Sequence, residues 1–214
     1  MQASNRIWYL VDHQAAYQMA ALKLLGIPEN KLIQPHYAMN VRADQIVRPS
    51  EPGTQAIRAA ADTIKQTLRR EQQSDFTRGK RIYISRRDAD HRKIANEGEL
   101  EELLTSHGFE SRSFERCPFE EQVRLLASAE IIVAVHGAAL ANTIFAPQGT
   151  TVIEICPQRR YNIDCFPRLS HAMGNRHRSI LADCTRYRQS MTVNLDDVLR
   201  CLDAAEHASS AQAA

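Results

Sequence analysis

Arg86, Arg92, His136, Gly137 and Glu154 are the residues whose chemistry, taken together, most constrains what this chain can do. Arginine presents a planar fork of N–H donors that matches phosphate oxygens two at a time. A glycine lets backbone approach a ligand with no Cβ in the way, and the N–H groups at a following helix start favour anions. Histidine can donate to a phosphate or sugar oxygen, and a carboxylate can accept from both hydroxyls of a ribose. Each residue also has a purely structural alternative. Arg86 and Arg92 could pair with Asp88, Asp90 or Glu97, which on a surface would be energetically minor. His136-Gly137 could be a tightly packed strand end, and Glu154 could pair with Arg159 or Arg160.

The elements that must position these residues are readable from apolar patterning. Ile131 to Val135 is solidly apolar and breaks at His136-Gly137, while Arg81 to Ser85 breaks at Arg86-Arg87. Runs of that kind read as strands buried on both faces of a parallel sheet. Further strands are expected at 109–114, 151–155 and 178–181, with helices between them. Asn96 with Glu99 reads as a capping box, Gly108 as a helix stop, and Pro118 as the start of a helix over 119–129. A short helix should follow the His136-Gly137 turn, and Asn194 should cap a last helix to about Ala205. Counting from Lys80, the expected strand order is 2-1-3-4-5. It would set the ends of strands 81–85 and 131–135 side by side at the switch point of the sheet.

Before Lys80 the pattern is shorter and weaker. A strand is expected at 7–11, a helix from His13 to Leu25 ending at Gly26-Ile27-Pro28, and short strands at 30–34 and 45–47. Pro49 to Gly53 reads as a turn or linker, followed by a helix over 54–72 with Ile57, Ala60, Ala61, Ile64 and Leu68 on one face.

Bulk properties mostly exclude. The 214 residues carry a net charge of +2, too little for a general affinity for nucleic acid or anionic membrane. The basic stretch from Arg78 to Lys93 holds one aromatic, Tyr83, inside a strand, so no nucleic-acid partner is expected. Five widely spaced cysteines without a CxxC suit reduced thiols rather than a disulfide framework or a zinc knuckle. Met1 to Arg6 lacks a signal-peptide core, so the expected setting is cytoplasmic, with at most peripheral membrane association. Asp88-Ala89-Asp90 could hold a divalent cation, but flanking arginines compete for the same oxygens. His13, His36, His91, His107, His171, His177 and His207 show no metal-ligand spacing, so no metal is expected.

The order of motifs as a whole resembles glycosyltransferase family 61. It is carried by Ile82 to Asp88, Arg92 to Glu97, Gly108-Phe109, Phe119 to Val123, His136 to Asn142, Phe145 to Pro147 and Val152 to Glu154, and covers roughly residues 45–185. The family's turn is often His-Gly-Ala-Gly-Leu, and Ala139 stands here at the second glycine. The resemblance implies a GT-B architecture, with a Rossmann-like parallel sheet, helices on both faces, as the donor domain. It also implies inverting transfer from a nucleotide sugar (a UDP-sugar first among donors) to a glycan or polysaccharide acceptor, as in capsular or surface polysaccharide synthesis. No cofactor is implied.

On that resemblance Arg86, Arg92, His136, Gly137, Ala138 and Asn142 would bind the diphosphate and Glu154 the ribose. Glu97 and His136 are the candidate catalytic bases. The corresponding division is 1–52 as the remnant or end of an acceptor-side α/β domain, 53–190 as donor domain, and 191–214 as a final helix and tail. With only about 50 residues ahead of the donor half, a partner subunit or further domain would complete the cleft, and the chain by itself should bind nucleotide but transfer sugar poorly. A non-catalytic nucleotide- or glycan-binding module of the same fold is the alternative.

Overall fold

Residues 7–48, 50–72, 76–158, 164–184 and 190–213 are described by the structure, a computed structural model. In the N-terminal part, β1 (Tyr9–Leu10) and β2 (Leu32–Ile33) pair in parallel, Tyr9 opposite Leu32, with α1 (Ala16–Leu24) between them in the chain. The next helix, α2 (Thr54–Gln72), runs over the residues expected for it. It buries Ala61, Ile64 and Leu68, one stripe at helical spacing. It lies against α1, and the Thr67 hydroxyl donates to the carbonyl of Leu24 at 3.1 Å. The strand expected at 45–47 does not form. Ile46 and Val47 are 77% and 79% exposed, and so short an apolar pair without a neighbouring strand has nowhere to send its backbone hydrogen bonds.

From Lys80 strands and helices alternate: β3 (Lys80–Ser85), α3 (Glu97–Ser106), β4 (Phe109–Ser113), α4 (Phe119–Ala127) and β5 (Ala129–Val135). A 3-10 stretch over Ala138–Phe145 follows, then β6 (Thr151–Pro157), α5 (Cys165–Met173), β7 (Arg176–Cys184), β8 (Met191–Thr192) and α6 (Leu195–Ala213). The six strands lie in the order β4-β3-β5-β6-β7-β8. The first five are parallel, in the order expected from the sequence, and β8 adds an antiparallel edge.

Both sheet faces are covered. Tyr83, Ile131, Val133, Ile153, Ile155 and Ile180 form one cluster with Leu100 and Leu104 of α3 and Val198 and Leu202 of α6. The alternate residues Ile82, Ile84, Ile132, Ala134 and Val152 are equally buried, and α4 packs on β3 and β5 from that side. With β4 and β5 flanking β3 on opposite sides, right-handed crossovers require α3 and α4 to lie on opposite faces. The result is a mixed α/β fold.

The chain divides into two compact units, Met1–Ser74 and Asp75–Ala214. These borders differ from 52/53 and 190/191 because α2 packs on α1, and α6 contributes Val198, Leu202 and Ala205 to the sheet's core.

Two local details differ from the sequence reading. Asn96 precedes α3 but does not cap it with its side chain. Its amide instead makes two bonds to Val193, Nδ2 donating to the carbonyl at 2.9 Å and Oδ1 accepting from the N–H at 3.1 Å. Val193 is 2% exposed, and its peptide needs those partners. The short helix expected after β5 forms as a 3-10 helix, a type the sequence leaves unspecified, and α5, which no strong periodicity announces, is present. Gly174, with φ +74°, ends it in the left-handed conformation that suits glycine.

Leu100 is fully buried in the α3 cluster, so Leu100→Ala should lower the stability of the C-terminal unit by about 2–5 kcal/mol in urea unfolding. Leu181, 56% exposed on β7, should cost under about 0.5 kcal/mol as Leu181→Ala.

Candidate functional site at the ends of β3 and β5

Parallel pairing of β3 with β5, Ile84 opposite Ala134, brings Arg86 and the His136-Gly137 turn to the same sheet edge. The contact between them is close. A Cβ added to Gly137 would stand 2.5 Å from Arg86 Nη1, so the guanidinium occupies the space that a side chain at 137 would need. Gly137 itself has extended backbone; its role is to make room. Arg86 is half-buried, and its Nε donates to the carbonyl of His91 at 3.2 Å. Burial and the nearby charge of Arg92 push the Arg86 guanidinium below its ordinary value, with Glu115 acting in the opposite sense. Two cations held near each other and partly out of water favour an anion between them.

Arg92 adds a second signal. Its φ is +59°, left-handed backbone that alone among the described non-glycine residues departs from the usual region. Such a conformation costs about 1–2 kcal/mol and persists where the surroundings over-determine it. Here Met191 N–H donates to the Lys93 carbonyl at 2.9 Å, and Ala95 N–H donates to the Met191 carbonyl at 2.7 Å. The chain just after Arg92 is therefore stitched to β8.

Arg87, Asp88 and Glu97 have structural partners. Arg87 pairs with Glu101 and also donates to Ser85 Oγ, and Asp88 pairs with Arg116 at 2.6 Å. Glu97 accepts from the Tyr83 hydroxyl at 2.9 Å and from Ser85 Oγ at 2.6 Å. Burial, with Glu97 beside it, pushes the Tyr83 phenol upward, which keeps it a donor. Glu97 thus secures the end of β3. Asn142 Nδ2 donates to Gln122 Oε1 at 2.8 Å, and Gln122 in turn donates to the carbonyls of Phe114 and Cys117. Asn142 ties the 3-10 stretch to α4 instead of meeting the arginines. Ala138 is exposed just past the turn.

Glu154 lies in the interior of β6, not at its end, and is fully buried. Strand arithmetic explains its neighbours. Glu154 pairs with Ala134 on β5 and Ser179 on β7, so His136 and His177, each two residues away, share its face. A carboxylate can only accept, so His136 Nδ1–H donates to Oε1 at 2.5 Å and His177 Nε2–H to Oε2 at 3.0 Å. Both oxygens that were expected to hold ribose are occupied by imidazoles. Arg159 and Arg160, the alternative partners, lie outside the described residues. His177 is held on its far side by Ser170 Oγ at 2.9 Å, and the His136 ring packs edge-on against Phe166 at 5.2 Å. Sequence reasoning missed His177, Ser170 and Phe166. The available signal was a carboxylate in the middle of a doubly buried strand, which has to find partners on the strands beside it.

Among the described residues, His136, Glu154 and Cys156 form a group whose ligand atoms lie within 4.8 Å of one another, all buried. Burial and then Glu154 push the Cys156 thiol up to about 12, which opposes the deprotonation that metal binding requires. A groove of about 430 Å³ lies between α1 and the Gly26–Leu32 segment of the N-terminal unit and includes none of the residues above.

The family model for Glycosyltransferase 61 matches residues 6–153. The chain belongs to glycosyltransferase family 61. The match starts earlier than the resemblance at 45–185 suggested and ends one residue before Glu154, so it includes His136 but not Glu154 or His177. The EGF domain-specific O-linked N-acetylglucosamine transferase of Drosophila melanogaster is 30% identical over 103 residues, 45% of this chain and 19% of the fly protein. Its Gallus gallus counterpart is 29% identical over 119 residues, 52% of this chain and 22% of that protein. The human protein O-linked-mannose beta-1,4-N-acetylglucosaminyltransferase 2 is 39% identical over 71 residues, 31% of this chain and 12% of its own length. The matched stretches thus cover about a fifth or less of the relatives.

These family 61 relatives overturn the cytoplasmic expectation. The fly and chicken proteins are named for EGF domains, which are disulfide-dense modules of secreted settings. Cysteine spacing speaks to disulfide frameworks and does not fix the compartment. Among the described residues no helix is long and apolar enough to cross a membrane.

Gly137→Ala should leave stability within about 1 kcal/mol, because a flexible Arg86 can swing aside. It should nevertheless weaken pyrophosphate binding by roughly tenfold or more, the value of one charged hydrogen bond. Thermal melting and calorimetric titration check the two halves. A stability loss with unchanged affinity would contradict this use of the glycine.

Proposed function

We propose that the C-terminal unit is the donor-binding part of a nucleotide-sugar glycosyltransferase, of GT-B type, acting with inversion and without a metal. The observation that carries this reading is the Arg86 guanidinium lying on Gly137 at the switch point, with Arg92 fixed nearby. In transfer, an acceptor hydroxyl oxygen attacks the anomeric carbon as the bond from that carbon to the diphosphate oxygen breaks. Negative charge grows on the departing diphosphate, and fixed guanidinium donors stabilise it. The hydroxyl proton passes to a base. His136 is the better candidate for that base, because the Glu97 carboxylate already accepts from Tyr83 and Ser85.

A UDP-sugar is the donor proposed first, and the relatives named as N-acetylglucosaminyl transferases support N-acetylglucosamine as the sugar. The acceptor is a hydroxyl of a glycan or polysaccharide. A capsular or surface polysaccharide is one such acceptor; the relatives' names point to sugars carried on protein, so an acceptor panel includes both. The N-terminal unit is proposed to belong to the acceptor side.

Calorimetric titration with a panel of nucleoside diphosphates tests the reading. Wild type should bind one of them, with UDP tightest, and Arg86→Ala should bind it about 10–100-fold more weakly, the loss of a charged phosphate contact. Absence of binding by every nucleotide, or an unchanged affinity in Arg86→Ala, would count decisively against it.

A further inference from the structure

Glu154 has no access to water, and a buried carboxylate is tolerated only when its oxygens are satisfied by donors. The donors come from both neighbouring strands and are arranged as a chain. Ser170 Oγ–H points to His177 Nδ1, His177 Nε2–H to Glu154 Oε2, and His136 Nδ1–H to Glu154 Oε1. One assignment of protons makes every link in that chain a donor–acceptor pair with the carboxylate ionised. It places the His136 proton on Nδ1, leaving Nε2 as the ring's basic nitrogen, and the His177 proton on Nε2. The His136 ring is also fixed in its plane by the edge of Phe166, and its backbone N–H is tied to the Ile155 carbonyl at 2.9 Å.

We infer that Glu154 is a positioning residue for His136, setting both the tautomer and the orientation of the imidazole that opens the phosphate-facing turn, with His177 and Ser170 as the brace that holds Glu154 in place. The logic is that of any imidazole backed by a buried carboxylate: the carboxylate touches no reacting atom and acts through the ring. This deepens the reading of His136 as the base, and rests on it for its catalytic consequence but not for the tautomers themselves. The competing use of the same atoms is a metal held by His136, Glu154 and Cys156. A metal at Nδ1 would displace the proton that Glu154 now accepts.

Long-range proton–nitrogen correlation spectra of the histidine rings, recorded at about pH 8 where an ordinary imidazole near pKa 6.5 is neutral, test the proposal without any nucleotide or substrate. Wild type should show His136 protonated at Nδ1 and His177 at Nε2. In Glu154→Gln the single carbonyl oxygen faces two imidazoles while the amide group needs an acceptor, so at least one ring must leave its wild-type tautomer. Finding His136 protonated at Nε2 in the wild type, finding one equivalent of bound metal by elemental analysis, or finding both rings unchanged in Glu154→Gln would each overturn the assignment. If Glu154→Gln does not fold, the wild-type spectrum decides alone. Where transfer is measurable, Glu154→Gln should lower kcat roughly a hundredfold, as loss of a general base does, and leave the KM for donor within about threefold. A change confined to KM would mean that Glu154 serves binding and not the base. Failure of nucleotide binding would remove the proposed function while leaving the tautomer result standing.

Discussion

Everything at the site follows from the parallel pairing of β3 with β5. Two strands that are not consecutive in the chain lie side by side, because the crossover through α3 leads away from β3 on one side and the crossover through α4 leads back on the other. Right-handedness of both crossovers leaves a gap at the carboxyl edge between the two strand ends. Into that gap one strand delivers a guanidinium and the other a residue with no side chain. Had β4 been inserted between β3 and β5, Arg86 and Gly137 would stand apart, and neither would mean much.

The sheet also solves a harder problem. Glu154 is a carboxyl group fully buried inside a parallel sheet, where apolar residues of similar size would pack without cost. It is held there by imidazoles from both flanking strands, so three successive strands are joined on one face by side chains as well as by backbone. Removing one partner from such a group leaves a buried polar atom unmet, at roughly 3–5 kcal/mol, which makes the arrangement intolerant of piecemeal change. Through His136 it is joined to the turn that meets Arg86.

The sheet was legible because its strands are continuous apolar runs with few alternatives; five strands and their order follow from runs, glycine stops and crossover handedness. The weaker N-terminal signals fared unevenly. The helix at 54–72 has a full apolar stripe and forms as expected, whereas Ile46 and Val47, an isolated pair of apolar residues, make no strand. At the site, Arg86 beside Gly137 could be anticipated from strand order alone. The true surroundings of Glu154, Glu97 and Asn142 could not, because each is decided by which side chain stands opposite on a neighbouring element. Spacing along the chain carries no record of register, and His177 and Ser170 enter only through it. Asn96 shows the same limit: its local pattern is that of a cap, but a peptide nearly a hundred residues later claims its amide.

That distant claim has a temporal side. The loop bearing Arg92 is fastened by Met191, and the start of α3 by Val193. During synthesis the strands of the sheet can form one after another as they emerge, yet the bonds that join Lys93 and Ala95 to Met191 wait until β8 has left the ribosome. The loop bearing Arg92 is therefore among the first parts of the C-terminal unit to be made and among the last to gain all of its backbone bonds. Position in the chain and order of completion run in opposite directions for this loop.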